Sequence, residues 1–188
     1  MKNYFIKIAL RGVSPMVWRR LRIPGDTSLA QLHVIIQKAY HWDDDHLHQF
    51  HIYGKDYGIA YVGGISFADN AHRVFFEDFE FDVGDKFTYE YNFYAHWMVD
   101  IRVERITTEA IDTRVYCLSG NGMPGADKHD VTKRTLDFIQ ALAKSLKSDS
   151  ETISIKKLLP FVDALNAVRF NHHVLNKRLQ SEEVEAAA

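Results

Sequence analysis

Two groups of side chains in this chain have the types and spacing to do chemistry. The first lies in the stretch SPMVWRRLRIP, residues 14 to 24. Guanidinium groups contact phosphates, and a tryptophan can stack on an unpaired base. Trp18, Arg20 and Arg22, with Lys7 and Arg11 nearby, therefore form a candidate surface for nucleic acid or a protein partner. An architectural reading competes with it and stands first. In that reading Trp18 packs under a neighbouring element, and Arg19 or Arg20 pairs with a carboxylate that holds a hairpin. A charged stripe on a strand also protects a sheet edge.

The second group is His46 and His48, two residues apart and close to His41, His51 and the run Asp43-Asp44-Asp45. On a strand, two histidines at this spacing share one face. Imidazole and carboxylate together suit a divalent ion such as zinc, iron or manganese. Two ligands do not complete a site, so a distant histidine or carboxylate must join them. The structural alternative places His48 with Phe50 and Ile52 on a face held by hydrogen bonds.

Three further features carry less. Gly120 to Gly125, GNGMPG, match G-x-G-x-x-G in letters. They lack the strand-turn-helix of a parallel βαβ unit, and Pro124 stands where the helix should begin. Cys117 has His129 as its nearest histidine and no third group to orient it, so a buried thiol is the default. His172 and His173 open the last predicted helix and read as capping or solvent-facing residues.

Composition limits the partners. The 188 residues carry 23 basic and 25 acidic side chains, a formal net charge of −2, so anion binding must come from a local patch rather than from the overall field. The single cysteine excludes an internal disulfide and a multi-cysteine zinc site, and fits a reducing compartment. No apolar run approaches the roughly 20 residues of a membrane helix. A cytoplasmic protein with no membrane partner is the expectation.

The elements that must position these residues follow from periodicity. Tyr4, Ile6, Ile8 and Leu10 alternate with Phe5, Lys7 and Ala9, which predicts a half-buried strand. After a turn at Gly12, Ser14 and Pro15, a second strand from Met16 to Ile23 puts Val17, Leu21 and Ile23 inward and Trp18, Arg20 and Arg22 outward. Ser28 with Gln31 forms a capping box, opening a helix to about His41 with Leu29, Leu32, Ile36, Ala39 and Tyr40 on its apolar side. Residues 46 to 53, HLHQFHIY, predict a strand, and GKDYGIAYVGG its return. Phe79, Phe81 and Val83, a Gly84-Asp85 turn, and Phe87, Tyr89, Tyr91 and Phe93 predict a second hairpin. Val99, Ile101 and Val103 alternate with Asp100, Arg102 and Glu104 on the strand from Trp97 to Ile106. Helical spacing then covers 130 to 147, 155 to 168 and 172 to 180.

With these residues in view, the chain resembles the plasmid pRiA ORF-three-like family, whose members are also labelled insertion-element passenger TnpR proteins. The resemblance rests on PMVWRRLRIP, LAQLHVIIQKAYHWDDDHLHQF, FTYEYNFYAHWMVDIRVE and FNHHVLNKRL, in the expected order. The third segment departs from the family pattern. Where members typically carry an Asp after the Tyr, a Gly-Asp after the Phe and a His two residues beyond the Trp, this chain has Asn92, Tyr94, Ala95 and Val99. The resemblance implies an α+β domain on mobile elements with no settled activity, and nothing here matches a recombinase catalytic domain. A metal site in other members would be impaired in this one.

The expected architecture is one α+β domain over 1 to 180. It has a mostly antiparallel twisted sheet with a β-grasp-like hairpin-and-helix start, a helical part from about 130, and a flexible tail at 181 to 188. The expected function is a non-enzymatic mobile-element accessory protein that binds nucleic acid or a protein through Trp18, Arg20, Arg22, Lys7 and Arg11, without a cofactor. The alternative is a metal-binding protein or metal-dependent enzyme built on His46 and His48.

Overall fold

The period-two segments assemble into a single seven-stranded sheet in the order β4-β3-β5-β6-β1-β2-β7. The computed structural model describes residues 2–14, 16–108, 114–122, 170–180 and 184. Its strands are β1 (Asn3–Leu10), β2 (Trp18–Pro24), β3 (His48–Ile52), β4 (Lys55–Tyr57), β5 (Lys86–Tyr91), β6 (Trp97–Thr107) and β7 (Tyr116–Asn121). Helix α1 spans Leu29–Tyr40 and helix α2 spans His172–Leu179. Every strand pairing is antiparallel. The class is therefore α+β with an antiparallel sheet. At seven strands, with β1 and β6 antiparallel neighbours at its centre, the sheet is wider than a β-grasp-like start describes. The helical segments expected at 130 to 147 and 155 to 168 lie outside the described residues. So does most of the expected tail, although Val184 is buried and its carbonyl accepts a hydrogen bond from Gln31.

Alternation decides which face is buried. Tyr4, Ile6, Ile8 and Leu10 of β1, Leu21 and Ile23 of β2, and Val99, Ile101 and Val103 of β6 are buried on one side. Leu29, Leu32, Ile35, Ile36 and Ala39 of α1 join them in a common core. The α1 N-terminus is held by Ser28: its side chain accepts from the Gln31 amide at 3.1 Å, and the Gln31 side chain accepts from the Ser28 amide at 2.9 Å. Both are donors that a helix start otherwise leaves unmade.

The second expected hairpin is placed differently. Residues 79 to 83 do not form a strand; Phe76–Phe79 is a 3-10 turn, Phe81 is buried and Val83 is exposed. The aromatic residues there serve a cluster in which the Phe81 and Phe87 rings stack at 5.1 Å and Phe76 packs on Phe81 at 4.9 Å. Aromatic side chains satisfy a core from a turn as well as from a strand, so their alternation misleads. The hairpin is instead β5 with β6, and β5 pairs on its other side with β3.

Arg19 is the core's exception. Its parity is that of Leu21 and Ile23, and it is fully buried. No carboxylate among the described residues meets it. Its Nε donates to the Ala39 carbonyl at 3.2 Å, and its Nη1 donates to the Trp18 and Asn121 carbonyls at 2.8 and 2.9 Å. The guanidinium lies 3.8 Å from the Phe170 ring centroid and 5.5 Å from that of Tyr40. Burial lowers its pKa to about 10, which leaves it charged at neutral pH. One side chain thus ties the end of α1 to β2 and β7. Gly120 permits this: a Cβ there would meet the Phe170 ring at 2.5 Å, so this glycine admits an aromatic ring.

Replacing Ser28 with alanine removes the side-chain acceptor of the Gln31 amide and leaves the backbone half of the capping box in place. The expected loss is about 1 kcal/mol, read as a lower denaturation midpoint with an unchanged slope in urea unfolding.

Candidate functional site

Two places gather polar side chains, one on the open face of the sheet and one beneath it. On the open face, β1 and β2 pair Lys7 with Arg20, β1 and β6 pair Lys7 with Arg102, and β5 and β6 pair Lys86 with Arg102. The register thus sets Lys86, Arg102, Lys7 and Arg20 directly opposite one another across four neighbouring strands. With strands about 4.8 Å apart, the row spans about 14 Å. Like charges placed opposite one another destabilise a sheet, so the row needs compensation.

That compensation is local and incomplete. Glu104 takes Arg20 in a two-point contact, 2.5 Å from Nε to Oε2 and 3.1 Å from Nη2 to Oε1. The bond to Arg20, with the nearby charges of Lys7 and Arg102, holds the Glu104 carboxyl below its ordinary range, and the same bond to Glu104 raises the Arg20 guanidinium. Arg11 pairs with Asp100 beside the row. Lys86 and Arg102 are exposed and meet no carboxylate partner among the described residues. Between β1, β5 and β6 the face dips into an open depression of about 470 Å³ lined by Lys7, Ala9, Arg11, Lys86, Asp100 and Arg102.

The expected surface residues are thus brought together, though not as free cations. Trp18 is half-buried, with the Lys7 amine and the Arg20 guanidinium each 5.2 Å from its ring centroid. Arg22 donates to the Arg114 carbonyl at 3.1 Å and lies 5.8 Å from the centre of the Tyr116 ring. The sequence reading of the patch missed Lys86, Arg102 and Arg105. Polar alternation along β6 signals Arg102 but not its strand neighbours; Lys86 belongs to β5, and a register shift puts Arg105 opposite Phe5.

Beneath the sheet, α1, β3 and β5 enclose His33, Gln37, His48 and Tyr89, with Asp44 closing the group from the loop after α1. Asp44 has the left-handed φ of 55°, a conformation Asp tolerates. The hydrogen bonds form a closed ring whose polarity is fixed by its one backbone donor. The Asp44 amide donates to Gln37 Oε1 at 3.2 Å, so Gln37 Nε2 faces and donates to the Tyr89 hydroxyl at 2.8 Å. Tyr89 then donates to His33 Nδ1 at 2.8 Å, and His33 Nε2 donates to the Asp44 carboxylate at 2.8 Å. The neutral Nε2-H tautomer of His33 satisfies every position. Burial raises the Tyr89 pKa well above its ordinary value, keeping this donor protonated.

His48 stacks on His33 with ring centroids 3.6 Å apart and planes 13° from parallel. Its Nε2 accepts from the Ile59 amide at 3.5 Å, and its buried Nδ1 has no hydrogen-bond partner. Burial, with the neighbouring His33, lowers the His48 pKa to about 2. His46 is not part of the cluster. It precedes β3, so strand alternation does not reach it, and its exposed ring meets Asp45 at 2.6 Å. Among the described residues, the group that could hold an ion is His33, Asp44 and His48, whose donor atoms lie within 4.8 Å of one another.

The segment that departs from the family pattern lies close by. Asn92 and Ala95 form the turn between β5 and β6, with the Asn92 side chain accepting from the Ala95 amide at 3.1 Å. Val99 is fully buried opposite Tyr89 in the β5–β6 pairing. Cys117 is buried, its pKa raised to about 11 by desolvation, and its backbone is bonded at both ends by Asn176 of α2. His172 and His173 sit at the start of α2, capped by Asn171. No described helix is long and apolar enough to cross a membrane.

Comparison with known proteins gives three findings. The family described as plasmid pRiA4b ORF-3-like protein matches residues 2–167. The uncharacterized protein y4hQ of Sinorhizobium fredii (strain NBRC 101917 / NGR234) is 32% identical over 109 residues, 57% of this chain and 56% of that protein. The match thus spans little more than half the length of that relative. A crystal structure of a protein of unknown function, MM3350 from Methanosarcina mazei Go1, aligns with a TM-score of 0.64 at 23% identity, covering 92% of this chain and 96% of that one. The shared feature there is the fold.

The His48 shift fixes the sign of a pH effect. With the folded pKa near 2 and the unfolded one near 6.5, the unfolded chain holds more protons between those values. The His48 contribution is complete above pH 6.5 and is lost as pH falls below it. His48→Gln is expected to flatten this fall. Urea titrations of both proteins at pH 7.5 and 5.0 should show the wild type losing more stability, by at most about 1.4 kcal/mol per pH unit.

Proposed function

The chain belongs to the plasmid pRiA4b ORF-3-like family, and from that premise we propose a non-enzymatic binding module that takes nucleic acid on the open face of its sheet. The observation that carries this reading is the row Lys86, Arg102, Lys7 and Arg20, aligned by register on an exposed face beside Trp18. A row of like charges costs stability unless a counter-anion offsets it, and Glu104 and Asp100 meet only part of the charge. A polyanion supplies the rest, releasing counterions as it binds. The plasmid origin in the family's description supports a mobile-element accessory role, and the placement of Trp18, Arg20, Arg22, Lys7 and Arg11 on one face supports their part in it.

A second reading rests on the unpartnered Nδ1 of His48. It moves the metal from His46 and His48 to His33, Asp44 and His48. Ring nitrogens bind metals in the plane of the ring, and two nearly parallel stacked rings do not aim their lone pairs at one point. Coordination would also turn the Nε2 of His33 from donor to ligand and break the ring of bonds to Asp44 and Tyr89. Hydrogen bonding is therefore the favoured role of the cluster. Zinc or manganese at tenfold molar excess over protein purified without a His tag is expected to leave the melting temperature unchanged. A rise abolished by Asp44→Asn would establish the metal reading.

Binding is measured by fluorescence anisotropy of labelled DNA at two or more salt concentrations. Lys86→Ala with Arg102→Ala removes two exposed cations without unpairing a carboxylate. The double variant is expected to weaken affinity and reduce the slope of log K against log salt by about 2, roughly 1 for each phosphate contact. An unchanged slope in a folded variant, or no binding by the wild type at micromolar protein, would remove the reading.

A further inference from the structure

Next to the cationic row, the sheet carries a second row in which aromatic rings and arginines alternate. Arg105 of β6 stands opposite Phe5 of β1, Phe5 opposite Arg22 of β2, and Arg22 opposite Tyr116 of β7. The Arg105 guanidinium carbon lies 3.6 Å from the Phe5 ring centroid, and that of Arg22 lies 5.8 Å from the Tyr116 centroid. Phe5 is 6% exposed while Arg105 is exposed, so the guanidinium covers the ring and turns its other side to solvent. An arginine held on an aromatic ring presents a planar, charged surface with little freedom left to lose.

We infer that the ligand of this face is single-stranded nucleic acid, whose phosphates lie along Lys86, Arg102 and Lys7 and whose bases stack on the guanidinium of Arg105 and on the Arg22–Tyr116 pair. This deepens the binding role proposed above and rests on it. The argument for a single strand is geometric. Reading a duplex needs an element that enters a groove, such as a helix or a two-stranded ribbon, whereas this face is a broad sheet. An unpaired strand exposes its bases, which stack on aromatic rings and arginine planes of open sheets. The depression beside Lys7, Lys86 and Arg102 lies on the phosphate side of that arrangement, and the stacking row lies two residue pairs further along β1 and β2.

Anisotropy titrations with four labelled probes test this: oligo(dT), oligo(U), an abasic strand of the same length, and a duplex with the same number of phosphates. The expected result is that one or both base-bearing strands bind at least about tenfold more tightly than the abasic strand, the effect of stacking even one base, and more tightly than the duplex. The tighter of the two names the strand, DNA or RNA, that the face prefers. Arg105→Lys keeps the charge and loses the plane, so it should weaken binding of the base-bearing strand and leave the abasic strand and the salt slope unchanged. Arg22→Lys makes the same comparison if the Arg105 variant does not fold. Equal affinity for abasic and base-bearing strands, or tighter duplex binding, would overturn the inference and leave the nucleic-acid role standing. Binding of none of the probes would remove both.

Discussion

The two-residue period of β1 and β2 is the constraint on which the rest of the molecule depends. One face of each strand must be covered by α1, and the other meets water, so parity alone sends neighbouring arginines to opposite environments. Arg20 and Arg22 face out. Arg19 goes into the core between Leu21 and the end of α1, where three backbone carbonyls and two aromatic rings take the place of a carboxylate. Carbonyl dipoles hold a guanidinium without requiring the desolvation of a second ion, which is the larger cost of a buried pair. The same contacts fix the far end of α1 against β7, so one arginine of the segment holds the core together while its neighbours face solvent.

On the outer face, the central position of β1 and β6 turns a modest number of basic residues into a coherent surface. The chain has slightly more acidic than basic side chains, yet the sheet register concentrates cations from four strands into one row. Glu104 answers Arg20 and Asp100 answers Arg11, and these pairs orient their arginines while leaving Lys86 and Arg102 open. The neighbouring row sets Arg105 on Phe5 and Arg22 on Tyr116. The two rows thus set exposed cations beside arginine–aromatic pairs on a scaffold of paired strands.

Beneath the sheet, the ring of hydrogen bonds through Asp44, Gln37, Tyr89 and His33 satisfies its donors and acceptors, while His48 completes the stack with one nitrogen unpaired. Beside it, Val99 faces into the core opposite Tyr89. The polar members of the cluster form a closed network that links the loop after α1 to the sheet and holds Asp44 in its left-handed conformation.

The sequence by itself determined the elements with strong local signals. Alternation located β1, β2 and β6, and the Ser28–Gln31 box marked the start of α1 to the residue. It also determined that Trp18, Arg20 and Arg22 share a face. The parity of Arg19 with Leu21 and Ile23 was visible too, although its charge argued against burial. Tertiary structure alone decided that the aromatic alternation of 79 to 83 fills a core from a turn, because apolar spacing does not distinguish a strand from a coil that packs. It decided that His48 meets His33 and Asp44 rather than His46, since α1 and β3 are brought together only by the core between them. It also decided the cationic row, because register between strands far apart in sequence depends on the bulges, turns and shared packing of the whole sheet.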